Sequence, residues 1–207
     1  MGAPMILGNL SEIQLDALRE TGSIGAGHAA TALSQLVGHG IEIEVPTLDV
    51  VEIGQVPLVF GGPETLVGAV YLRLLGDLGG SMLFVAPRSS SLALVDLMRN
   101  RPVGTAKSFG ADEEALVTHV AQILVSAYLA AVGRLADLNI LPSKPSFALD
   151  MAGAILEAVT TEIGMLAETA VLQRTRFFDD ETSVDAYLFF LPDPDSLEVL
   201  LGRLGVV

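Results

Sequence analysis

Three side chains and one bare backbone position stand where chemistry could be done. Asp16, Glu20, Ser23 and Gly27 follow one another at steps of four, three and four in "LDALRETGSIGAGHAA". On a helix those steps put all four on one face. Two carboxylates carry charge, a hydroxyl binds water, and a glycine beside them admits a partner's surface. Other chemistries are weaker or excluded. There is no cysteine, which removes disulfides, thiolate catalysis and thiolate metal sites. His28, His39 and His119 are scattered, with no H-x-x-x-H pair to begin a metal cluster. "GAGHAA" matches a dinucleotide fingerprint in letters only, because that fingerprint needs a strand before it and a capped helix precedes it here. No glycine-rich loop ends in lysine. Asp179, Asp180 and Glu181 read as a solvated turn with no role.

The elements that must position the face are legible in turn. "SEIQ" is a capping box with Ser11 as N-cap and Gln14 reaching back, so a helix starts there and runs to about Leu36. Residues 15, 18, 22, 25, 29, 33 and 36 form its packing stripe, two of them glycines that let another backbone approach. A break into two segments near Gly22 is open on sequence alone. Strand-like alternation follows at 41–53, a hairpin at 66–78 and 81–87, and a capped helix at 89–98. "RNRPVGTAKSFG" (99–110) reads as a linker.

The pattern then repeats. A long helix covers 112–137, an additional amphipathic helix 150–165, a second hairpin Leu166 to Phe178 and 183–192, and a closing helix 195–204. A shift of 99 residues lays Pro46 on Pro145, and a shift of 105 lays Pro87 on Pro192 and Ser91 on Ser196. The chain reads as a single unit, 1–207, of two pseudo-repeats at about 11–99 and 112–205. The expected fold is α+β. Its duplicated α-β-β unit makes one antiparallel sheet across both halves, and two long helices carry the motif faces on one side.

Composition narrows the partners. The net charge of −14, with nine arginines and only Lys107 and Lys144, makes nucleic acid and anionic membranes poor partners. That balance suits a salt-rich cytoplasm, where self-repulsion is screened, although compositional drift would leave the same signature. There is no run of 18 apolar residues, so no membrane insertion is expected. "MGAPMILGNL" lacks the basic region of a secretory signal. Cytoplasm is the expected compartment.

The words "LDALRETGSIGAGHAATALSQLVG", "LVGAVYLRLLGDLGGSMLF" and "LPSKPSFALDMAGAIL" closely resemble the CheC, CheX and FliY family of chemotaxis response-regulator phosphatases, from about Ser11 to Pro192. The family motif is (Asp or Ser)-x3-Glu-x2-Asn-x22-Pro, once in each half. The resemblance implies that the Glu holds phosphorylated CheY through its active-site lysine, that the Asn orients the attacking water, and that the regulator brings the Mg²⁺. The protein then needs no cofactor of its own. Such a division suits phosphoryl transfer, which depends on positioning and charge more than on covalent help.

This chain departs from the motif in both halves. In the first, Asp16, Glu20 and Pro46 match, and Ser23 replaces the amide. In the second, Pro145 matches, and Ala115, His119 and Gln122 stand in the other three places. The resemblance implies catalytic roles for Glu20, Ser23, His119 and Gln122 and binding roles for Asp16, Pro46 and Pro145, and the helix face adds Gly27 as a binding position. It also implies a contact with the deamidase CheD through Asp150, on an exposed small-residue turn. The expected function is a weak phosphatase of phosphorylated CheY. The competing class is a non-catalytic adaptor for CheD or CheY. A flagellar-switch component of FliY type is a third reading, for which the chain leaves no room for a C-terminal switch domain.

Overall fold

The computed structural model describes residues 10–38, 42–44, 47–162, 169–178 and 183–206. The elements run α1 (Glu12–Val37), β1 (Glu42–Ile43), β2 (Thr47–Glu52), a 3-10 turn (Ile53–Gln55) leading into α2 (Val56–Val59), β3 (Leu66–Gly76), β4 (Gly80–Pro87) and α3 (Arg88–Met98). The second half continues with α4 (Ala111–Ala136), β5 (Ile140–Pro142), β6 (Ser146–Met151), α5 (Ala152–Glu162), β7 (Thr169–Phe178), β8 (Ser183–Pro192) and α6 (Pro194–Arg203). The fold is α+β, as expected. His39, Pro46, the acidic turn 179–181 and the first residues of the second hairpin lie outside the described residues.

The capping box forms at the start of α1. Gln14 N–H donates to Ser11 Oγ at 3.4 Å, and Ser11 N–H donates to Gln14 Oε1 at 2.9 Å. The helix then runs 26 residues without a break at Gly22 and stops at Gly38, whose φ of 76° turns the chain left-handed. Tertiary packing holds the glycines in it: Thr21, Gly22, Gly25, Ala26 and Ala29 are all buried. One member of the expected stripe is corrected. Leu36 is 40% exposed, while Val37 beside it in the last turn packs against the core.

Among the described residues, an eight-stranded antiparallel sheet runs in the order β1-β7-β8-β4-β3-β5, with β2 also on β7 and β6 also on β3. Each half therefore lends its edge strands to the hairpin of the other. Thr47 to Glu52 pair with Arg174 to Thr169, and Ser146 to Met151 pair with Tyr71 to Leu66. The two ladders coincide under shifts of 99 and 103 residues. At the centre, Leu83 faces Phe189 and Phe84 faces Leu188. Alternation sorts the strands onto two cores. Val70, Leu72, Met82, Phe84, Val171 and Phe190 pack under α1, α3, α4 and α6, while Val67, Ala69, Leu83, Val85, Leu172 and Phe189 pack under α2 and α5.

Three local expectations change. The helix at 89–98 begins at Arg88 and has no side-chain cap; Pro87 precedes it, and Ser91 instead turns inward and donates to Ala86 O at 3.2 Å. The segment 99–110 is a folded loop rather than a free linker. The fully buried Asp96 carboxylate accepts from Thr105 N–H at 2.8 Å, Ala106 N–H at 3.0 Å and Arg101 at 3.1 Å. The additional helix of the second half, α5, has a short counterpart in the first, the turn and α2 at residues 53–59.

The length and apolar composition of α4 match those of a membrane-crossing helix, but half of its apolar window is buried inside this fold. Val117, Val120, Ala121, Leu124, Val125 and Val132 supply the core beneath it.

Candidate functional site

The two long helices lie against one another on the same side of the sheet. A side chain at Gly25 would put its Cβ 2.5 Å from Tyr128 Cδ2, so the glycine is what lets the tyrosine ring settle against α1. Burial pushes the Tyr128 hydroxyl's pKa well above the ordinary phenol range, so it stays protonated. At the rim of the same contact, Arg134 Nη2 lies 3.3 Å from His28 Nδ1. Thus Gly25 and Tyr128 fix the inner faces of the pair, and the outer faces are left for function.

On α1 the outer face carries the four positions singled out by spacing. Asp16, Glu20 and Gly27 are exposed and Ser23 is half-buried. Asp16 Oδ1 pairs with Arg19 at 2.8 Å along the helix. The Glu20 carboxylate has no ion pair or hydrogen bond among the described residues. It therefore stands in solvent as an open acceptor. A Cβ added at Gly27 would meet nothing within 4 Å, so no internal packing demands that glycine. Helix geometry places Ser23 one turn, about 5 Å, along the axis from Glu20.

On α4 the corresponding face has different chemistry. Ala115, His119 and Gln122 are exposed and line a shallow depression of about 460 Å³ with Ala111, Glu114 and Thr118. The helix below them is anchored by Glu113. Its carboxylate takes Arg99 at 2.8 Å and Gly110 N–H at 3.0 Å. The Arg99 hydrogen bond holds the Glu113 pKa below the ordinary carboxylate range. So the structure brings Asp16, Glu20, Ser23 and Gly27 together on one helix and His119 with Gln122 on another.

Pro145 is half-buried immediately before β6, and Pro46 lies outside the described residues. Asp150 corrects an expectation. It sits within strand β6, opposite Val67, rather than on a turn. The residues that looked like a small-residue turn are the last of β6 and the first of α5. Asp150 is exposed, and its Oδ1 accepts the Met151 N–H at 2.7 Å. Among the described residues no three or more His, Asp or Glu side chains converge as metal ligands would.

Two residues escaped the reading by spacing. Ile13 is 69% exposed and Ile24 is 37% exposed, both on the outer side of α1. Extending the stripe of Asp16, Glu20 and Gly27 by helical steps reaches both. Spacing alone does not single them out, because isoleucine in an amphipathic helix reads as core.

Comparison with known proteins gives one picture. The model of the CheC-like family matches residues 13–49, the span of α1 and the start of β2. The CheY-P phosphatase CheC of Bacillus subtilis is 34% identical over 204 residues, covering 97% of this chain and 98% of that protein. The flagellar motor switch phosphatase FliY of the same organism is 34% identical over 90 residues, 44% of this chain and 23% of that protein. Among solved structures, FliY of Thermotoga maritima superposes with a TM-score of 0.77 at 17% identity, over 95% of this chain and 98% of that one.

Proposed function

The chain belongs to the CheC-like family, and on that footing we propose that it docks a phosphorylated CheY-type response regulator on the outer face of α1 and speeds the loss of its phosphoryl group. The exposed, unpaired Glu20 carries this reading. A carboxylate held on a rigid helix, with no partner of its own among the described residues, is free to pair with a regulator's active-site lysine. Ser23, one turn on, holds the attacking water through its hydroxyl. Water attacks phosphorus in line, the bond to the regulator's aspartyl oxygen breaks, and phosphate leaves with the carboxylate restored. Mg²⁺ belongs to the regulator in this scheme. A hydroxyl directs water with fewer groups than a primary amide offers, which sets a modest rate. The α4 face contributes little. His119 cannot serve as the anion for a lysine, and Gln122 carries its amide one methylene further out than the motif's asparagine does. The test is the decay of the phosphorylated cognate regulator, followed with and without this protein. Acceleration supports the reading, and decay at the spontaneous rate overturns it.

A second reading, binding of CheD, rests on Asp150, which is exposed near the end of β6. Among the described residues β6 pairs with β3 and with no second strand. Asp150→Lys reverses a charge in solvent, where stability changes are usually within about 0.5 kcal/mol. The variant should melt with the parent, fail to retain CheD in a pull-down and still bind the regulator. Retention of CheD by a folded variant removes this segment from the adaptor reading.

A further inference from the structure

The outer face of α1 holds more than its carboxylates. Ile13, Asp16, Glu20, Ile24, Gly27 and Thr31 follow at steps of three, four, four, three and four. At about 100° per residue they form one stripe, within about 40° of Glu20 around the axis. Every one of them is exposed. Ile13 and Ile24 stand about 16 Å apart along the helix, with Glu20 between them. Ile13 and Ile24 leave apolar surface in water on either side of the carboxylate, and removing such surface from water favours association. Gly27 weakens the helix, and nothing inside the molecule explains it, because a Cβ there meets open space. Gly25, two residues earlier, shows the opposite: the Tyr128 ring already fills its place.

The positions that match on α4 do not repeat the pattern. Asp112 stands for Ile13, His119 for Glu20 and Ser126 for Gly27, and Ile123, which stands for Ile24, is half-buried. Of the two flanks, the one at Ile13 is therefore replaced by a charge on α4, and the one at Ile24 is kept but lies deeper.

We propose that Ile13 and Ile24 are the apolar anchors that hold the response regulator's receiver domain on α1, with Gly27 as the point of closest backbone approach. This rests on the docking of the regulator proposed above. Charge complementarity selects that occupant. The regulator's active-site lysine meets Glu20 at the centre of the footprint, and apolar groups around the regulator's site meet the two isoleucines, excluding water from the charge pair. The anchors set affinity and not the chemical step. They touch no reacting atom, so they act as specificity-determining residues.

The experiment measures binding of the cognate CheY-type regulator, activated with beryllofluoride, to the full chain, together with KM and kcat for loss of phosphate. Ile24→Gln and Ile13→Gln should each weaken binding about tenfold. KM should rise by a similar factor with kcat unchanged. Gly27→Ala should raise the melting temperature, because alanine favours the helix, and yet weaken binding. That combination separates close approach from a structural role. Leu58→Gln, on the far side of the sheet, should leave both unchanged. Wild-type affinity in all three α1 variants, with loss in Glu20→Gln, overturns the anchors and leaves the docking face standing. Wild-type affinity in Glu20→Gln as well, or no binding by the parent, overturns the docking reading and the anchors with it.

Discussion

The two long helices are the same length, start 99 residues apart and lie on the same side of the sheet, yet their outer faces have diverged in opposite directions. α1 has a carboxylate at Glu20 with no partner among the described residues, a bare backbone at Gly27 and exposed isoleucines on either side. α4 has an amide at Gln122, a histidine where α1 has Glu20, and opens with Asp112, Glu113 and Glu114. Their inner faces differ as well, but in a matched way: α4 has Leu124 where α1 has Gly25, and α1 has Ala29 where α4 has Tyr128. Tyr128 needs the space at Gly25, and changing either would disturb the packing of both helices. A fold duplicated through exchanged edge strands thus ties the inner faces to one another while each outer face varies alone.

Three substitutions probe that difference, from the largest effect on the decay rate to the smallest. Ser23→Asn supplies α1 with the amide that its face lacks. It should speed loss of the regulator's phosphate about tenfold, the worth of one well-placed hydrogen bond near 1.4 kcal/mol. If the rate stays at the parent's value while the regulator still binds, the missing amide is not what limits α1. His119→Glu with Gln122→Asn rebuilds the α4 face. A gain of about threefold is expected, limited by the like charge of Glu114, which lines the same depression. A gain exceeding that of Ser23→Asn would make α4 the better platform.

The smallest effect is on stability. Arg99 holds the Glu113 carboxyl below its ordinary range, so the pair stabilises the fold above the usual glutamate pKa, and that contribution is lost as pH falls through the lowered value. Arg99→Ala should therefore lower the melting temperature slightly at pH 7, and the gap should close in strong acid. A gap that persists below both values would mean that Arg99 acts through packing instead.

Much of this was legible in the chain because it obeys local rules. Ser11 and Gln14 fixed the start of α1, periodicity fixed its buried side, and alternation fixed both hairpins. The outer positions Asp16, Glu20 and Gly27 followed from arithmetic on a helix. What escaped depends on contacts distant in sequence. Asp150 looked like part of a turn, because Ala148, Ala152 and Gly153 favour no strand, and only the ladder to β3 makes it one. The loop at 99–110 looked like a linker, because its organiser is Asp96, buried in the helix before it. The exchange of edge strands between halves could not be read at all, since both pairings satisfy the same alternation.

The central claim is that α1, and not α4, is the working face. The most direct measurement is the decay of the phosphorylated cognate regulator with three proteins side by side: the parent, Glu20→Ala and His119→Ala. Both side chains are exposed, so both variants should fold with the parent's melting temperature. The account predicts that Glu20→Ala returns decay to the spontaneous rate while His119→Ala keeps the parent's rate. Full activity in Glu20→Ala with loss in His119→Ala would contradict it and move the site to α4.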